Sequence, residues 1–238
     1  GRLTLKMLTR NKILAAIKES TQKAQHNNKE YFLFGRIYVF IKDPVLPEIS
    51  IKSILDKIES IVPMHMMEEI DEILIGSFPE NEERQLEAHY NSGALFVSNA
   101  LPTEYDYLEN IVHETAHSLE GKYGLYLYGD RAIESEFLGK RTRLFHILKQ
   151  EGYNVSREEF EEVEYSEGFD NLLYQEIGYD TLNSLVTGLF ISPYGATSLR
   201  EYFANGFEEY FLGDRTYLMN TSVKLYQKIT ELIKDEGL

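Results

Sequence analysis

The 238-residue chain contains no cysteine. That excludes a disulfide framework, a thiol nucleophile and any thiolate-ligated zinc or iron–sulfur site. Positive charge is also scarce, with 24 basic residues against 39 acidic ones and a formal net charge of −15. Such a chain repels phosphates and anionic lipid, so nucleic acid is a poor partner, and basic peptides or cations are better ones. No apolar run approaches the roughly 18–20 residues that cross a bilayer. Gly1-Arg2-Leu3 opens no signal-peptide apolar region. What remains is ordinary globular material, 43% hydrophobic and 26% charged, enough for a single domain over 1–238.

Residues 3–25 have the spacing of an amphipathic helix, through Leu3, Leu5, Leu8, Ile13, Leu14 and Ile17. Its polar face is basic (Arg2, Lys6, Arg10, Lys12, Lys18, Lys23), and its expected place is against the chain's own acidic body. Aromatic and β-branched residues over 31–42 predict a strand, and 50–61 returns to helical period until Pro63 stops it. Two further short strands are expected at 72–78 and 94–99, the latter entered through the turn residues Asn91-Ser92-Gly93. Beyond Pro102 the pattern is almost wholly helical. Helix, strands and then helices predict an α+β fold with a small mixed sheet and a mainly helical C-terminal half. Arg157 to Asp170 carries seven acidic residues and one basic one, and reads as a solvated part of a helical insertion over about 155–190.

His113-Glu114-Thr115-Ala116-His117 is an H-E-x-x-H motif. Thr103 can cap a helix ahead of it, and Tyr107, Leu108, Ile111 and Val112 give that helix a face to bury. Histidines four residues apart project from one face, one turn apart, where both imidazoles can ligate one metal. Glu114 lies about 100° around the helix, placed to reach a water rather than the metal. A carboxylate there can take the water's proton and return it to a leaving amine. His26, His65, His89 and His146 lack such spacing and read as surface or satisfied residues.

A catalytic zinc usually has three protein ligands. A metzincin would need Gly at 120 and His at 123, but those positions hold Glu120 and Tyr123. Two glutamates then compete for the third place. Glu136 follows His117 after 18 intervening residues, the spacing of one aminopeptidase group, though in a Glu134-Ser135-Glu136-Phe137 setting unlike that group's. Glu201 lies one turn into a helix that follows Thr197-Ser198, with Leu199, Tyr202, Phe203, Phe207, Tyr210 and Phe211 as its apolar stripe.

His113 to Asp130 (HETAHSLEGKYGLYLYGD) and Tyr194 to Phe211 together resemble the catalytic domain of the anthrax lethal factor-like zinc metallopeptidases. More distantly they are similar to the Pro-Pro endopeptidases. Both groups are gluzincins, with a glutamate as third ligand on a downstream helix. The resemblance implies a zincin-like fold with an active-site helix. It implies one zinc per chain on His113, His117 and Glu201, with Glu114 as general base. It further implies that Tyr194, seven residues before Glu201, donates a hydrogen bond to the oxyanion or leaving group. Two departures stand out: 83 residues separate His117 from Glu201, more than the family's pattern, and Asn205 stands where a second glutamate is frequent.

The expectation is therefore a zinc endopeptidase acting on a peptide or protein, with basic or neutral segments favoured by the acidic balance. The resemblance favours a secreted or delivered effector. Zincins hold substrate against an edge strand, and Ala94–Asn99 is the expected one. The insertion is expected to restrict access to the cleft. Two alternatives stand beside this reading: a non-catalytic zincin-like module that binds a partner, and an aminopeptidase-like site using Glu136.

Overall fold

The computed structural model describes residues 2–21 and 29–234, with side chains described over 8–17 and 29–234. Two compact units divide the chain, Gly1–Leu119 and Glu120–Leu238.

In the first unit, helix α1 (Arg2–Thr21) precedes a hairpin of β1 (Glu30–Leu33) and β2 (Ile37–Ile41). Then come α2 (Ile51–Ile61), β3 (Glu72–Gly76), the one-turn α3 (Pro79–Glu83), β4 (Ala88–Asn91) and β5 (Ala94–Ser98). The long α4 (Glu104–Tyr128) follows, and the boundary between the units falls within it. The strands form one open mixed sheet in the order β1-β2-β3-β5-β4. β2, β3 and β5 run parallel, and β1 and β4 pair antiparallel at the two edges. One face is packed: Val39, Ile73 and Leu95 lie side by side and fully buried, with Ile75 and Val97 paired in the same way. Alternation then places Tyr38, Phe40, Leu74 and Phe96 on the other, half-buried face.

The expected single strand over 31–42 is in fact a hairpin. Phe34 and Gly35 both take positive φ, 55° and 63°, which folds the chain back so that Arg36 N–H donates to the Leu33 carbonyl at 3.1 Å. Strand β4 was not expected, and it moves the edge. The second correction follows: β5 (the expected edge strand) lies inside the sheet, and β4 is the edge beside it.

Ser50 caps α2, accepting from Ser53 N–H at 3.1 Å, and Ile51, Ile54, Leu55 and Ile58 are its buried stripe. On α1, Ile13 and Ile17 are buried and Leu14 half-buried, whereas Leu8 is exposed. Arg10 pairs with Glu82 at 2.5 Å. The remainder of the expected helix, 22–25, lies outside the described residues, as does His26.

Among its described residues the second unit has helices and no strand. It holds the last turns of α4, then α5 (Ala132–Gln150), α6 (Glu167–Asn171), a π-helical turn over Leu172–Ile177, α7 (Tyr179–Leu185), α8 (Leu199–Leu212), α9 (Arg215–Thr221) and α10 (Val223–Lys234). Its core includes Phe137, Leu144 and Leu148 of α5, Phe203 and Phe207 of α8, and Leu225 and Ile229 of α10, all fully buried. Gly206 lets α10 approach α8 closely, since a Cβ there would collide with the Leu225 side chain. Among the described residues no helix is long and apolar enough to cross a membrane.

Candidate metal centre

Helix α4 begins as expected. Thr103 Oγ1 accepts from Asp106 N–H at 3.1 Å while the Asp106 carboxylate accepts from Thr103 N–H at 3.1 Å, a reciprocal capping box. Tyr107, Leu108, Ile111 and Val112 are buried and set the helix's rotation. That rotation leaves His113 and His117 half-buried, their ring centroids 5.0 Å apart and their planes 74° to each other. Glu114 is buried, with 9% of its surface exposed.

Helix α8 is capped by Ser198, whose hydroxyl accepts from Glu201 N–H at 3.2 Å. Leu199 N–H donates to the Val163 carbonyl at 2.9 Å, and Tyr202, Phe203, Phe207, Tyr210 and Phe211 are buried. Glu201 is half-buried in the first turn. One ligand atom from each of His113, His117 and Glu201 lies within 4.8 Å of the other two, and this is the group among the described residues that could hold a metal ion.

Tyr194 lies in a 3₁₀ turn over Pro193–Ala196, 38% exposed, its carbonyl accepting from Thr197 N–H and Oγ1. Asn205 fastens the same loop. Its Oδ1 accepts from Ser192 Oγ at 2.9 Å, and it packs so tightly on Gly195 that a Cβ there would stand 2.6 Å from Oδ1.

Glu136, the rival ligand, is engaged elsewhere. Its carboxylate accepts from the Tyr202 hydroxyl at 2.6 Å and from Lys224 and Leu225 N–H at 2.7 and 3.3 Å. It therefore satisfies the N-terminal donors of α10. Beside it, buried Lys140 donates to Ser222 Oγ at 2.5 Å and sits over the Tyr202 and Phe190 rings. Burial pushes the Lys140 ammonium down to about 8, with Glu136 opposing the shift. In the unfolded chain the amine regains its ordinary value, so between these two values the unfolded state binds more protons and stability rises with pH. Relative to Lys140→Met, the wild type is expected to gain about 2 kcal/mol between about pH 7.5 and about pH 9.5, as read by urea unfolding at both.

The other histidines also fall into place. His89 is buried on β4, stacked on Phe96 at 4.7 Å, with Nδ1 bonded to Asn81 and Nε2 3.1 Å from Glu80. His65 is half-buried and His146 exposed.

Motif reading passed over one side chain, Arg141. It sits on α5 and is 1% exposed. The signal was present, because Lys140 and Arg141 interrupt the apolar stripe of Phe137, Leu144 and Leu148.

Comparison with protein-family models, with curated proteins and with solved structures finds no match.

Proposed function

We propose that the chain is a zinc-dependent endopeptidase with a zincin-like arrangement, in which His113, His117 and Glu201 hold the metal. The observation that carries this reading is the mutual approach of the three ligand atoms to within 4.8 Å. Ligands about 2 Å from a tetrahedral ion stand about 3–4 Å from one another, so small side-chain rotations suffice. Two imidazoles and one carboxylate are also a zinc-type donor set with a position left open. When bound, zinc acts as a Lewis acid and lowers the pKa of a water to about 7.

The chain's own groups perform the remaining work. Glu114 accepts the attacking water's proton on a carboxylate oxygen and delivers it to the leaving amine nitrogen. The Tyr194 hydroxyl donates to the developing oxyanion, a contribution of about 3–4 kcal/mol for one well-placed donor. An extended substrate pairs with the outer backbone edge of β4, which gives affinity, while side-chain pockets give specificity. Neutral or basic peptides suit a chain with net charge −15.

The test is metal analysis joined to a peptide-library digest, before and after chelation. One zinc per chain is expected, with cleavage lost on chelation and regained on adding zinc. Zinc without any cleavage would leave a metal-binding partner module, and absence of bound metal would overturn the reading.

A further inference from the structure

Arg141 is a buried cation whose bonded acceptors are backbone carbonyls. Its Nε donates to the Ala196 carbonyl at 2.6 Å, Nη2 to the Thr197 carbonyl at 2.9 Å and Nη1 to the Glu159 carbonyl at 3.4 Å. The guanidinium carbon lies 3.9 Å from the Phe169 ring centroid and 4.7 Å from that of Phe137. Burial pulls this guanidinium down, and the Glu162 carboxylate opposes the pull. Removing a charge from water is costly, and charge-assisted bonds with ring stacking are what offset it here.

What those bonds hold is informative. Ala196 and Thr197 lie between Tyr194 and Ser198, and Ser198 caps the turn that presents Glu201. Thr197 Oγ1 donates to the Tyr194 carbonyl at 2.7 Å, so the loop is braced from within as well. The acidic segment supplies the other half of the brace. Its Glu159 carbonyl and Phe169 ring complete the Arg141 cage, and its Val163 carbonyl takes the first N–H of α8.

We propose that Arg141 is a positioning residue for the metal centre, and that segment 157–170 exists in part to close its cage. Resting on the zinc reading above, this assigns the long interval between His117 and Glu201 a mechanical purpose: it fixes where the third ligand and Tyr194 start from. Lysine does not reproduce the effect, because its compact ammonium lacks the planar fork that meets the Ala196 and Thr197 carbonyls while lying over the Phe169 and Phe137 rings.

The test uses the full chain. Zinc affinity is measured by chelator competition, and the visible spectrum of the cobalt(II)-substituted protein is recorded, for wild type, Glu201→Ala and Arg141→Lys. Apo-protein unfolding in urea is followed in parallel. Arg141→Lys is expected to bind zinc about 10–100-fold more weakly than wild type and to shift the cobalt spectrum toward that of Glu201→Ala. A merely structural arginine would lower apo stability and leave both metal readouts at wild type, and that result overturns the proposal. Should Arg141→Lys fail to fold, Phe169→Leu removes only one stacking face. A few-fold loss of zinc affinity is then expected, and no loss overturns the proposal. Wild type that binds no zinc would instead sink the metal-centre reading itself, a separate outcome.

Discussion

Glu114→Gln is expected to lower peptide cleavage by about 10²–10⁴-fold while zinc content stays at one per chain. Glutamine matches glutamate in shape, and the site is 9% exposed, so the substitution removes a proton acceptor and leaves little room for rearrangement. The residue shares α4 with His113 and His117 but points about 100° away from His113, which separates a base from a ligand. Mass-spectrometric digests of a peptide library and metal analysis on the same preparations check both halves. Cleavage at the wild-type rate would remove Glu114 from the reaction. Loss of zinc with loss of cleavage would make it part of the metal's support.

The parts of this molecule that were legible in its residues are those where local chemistry and tertiary packing agree. Thr103 and Asp106 can satisfy each other's backbone donors only at a helix start, and the buried stripe of Tyr107, Leu108, Ile111 and Val112 has one rotation that hides it. Once α4 is set, the imidazole pair follows from the period alone. Ser198 likewise marks the start of α8 and so the first-turn place of Glu201. The failures share a cause of the opposite kind. The Phe34-Gly35 turn requires positive φ at a phenylalanine, which no local preference announces. Ala88-His89-Tyr90-Asn91 becomes an edge strand because β5 offers it a ladder and because Asn81 bonds its buried histidine, with Glu80 close by. Neither fact is local. Arg141 was overlooked for a related reason. A cation on an apolar stripe reads as a solvated residue unless the carbonyls that receive it, 55 and 56 residues downstream, are known.

The same contrast governs the two glutamates that competed as third ligand, and it yields a crossed outcome. Glu201→Ala is expected to weaken zinc binding by about 100-fold or more, since losing a direct ligand costs at least as much as losing a group that merely orients one. At a zinc concentration about a thousandfold above the wild-type dissociation constant, zinc stabilises the wild type by about 4 kcal/mol. A hundredfold weaker site retains about 1.4 kcal/mol of that. Apo Glu201→Ala needs no such loss, because Ser198 caps the helix through the Glu201 backbone, which the substitution keeps. Glu136→Ala should do the reverse. It strips the Tyr202 hydroxyl and the Lys224 and Leu225 N–H groups of their acceptor and removes the carboxylate beside buried Lys140. The apo protein is then expected to lose about 2–4 kcal/mol, while the increment added by zinc stays near 4 kcal/mol. Urea unfolding of both variants, with and without zinc, reads all four numbers. Equal zinc increments in the two variants would break the assignment of Glu201. A zinc increment lost only in Glu136→Ala would transfer the third ligand to α5 and revive the aminopeptidase-like alternative.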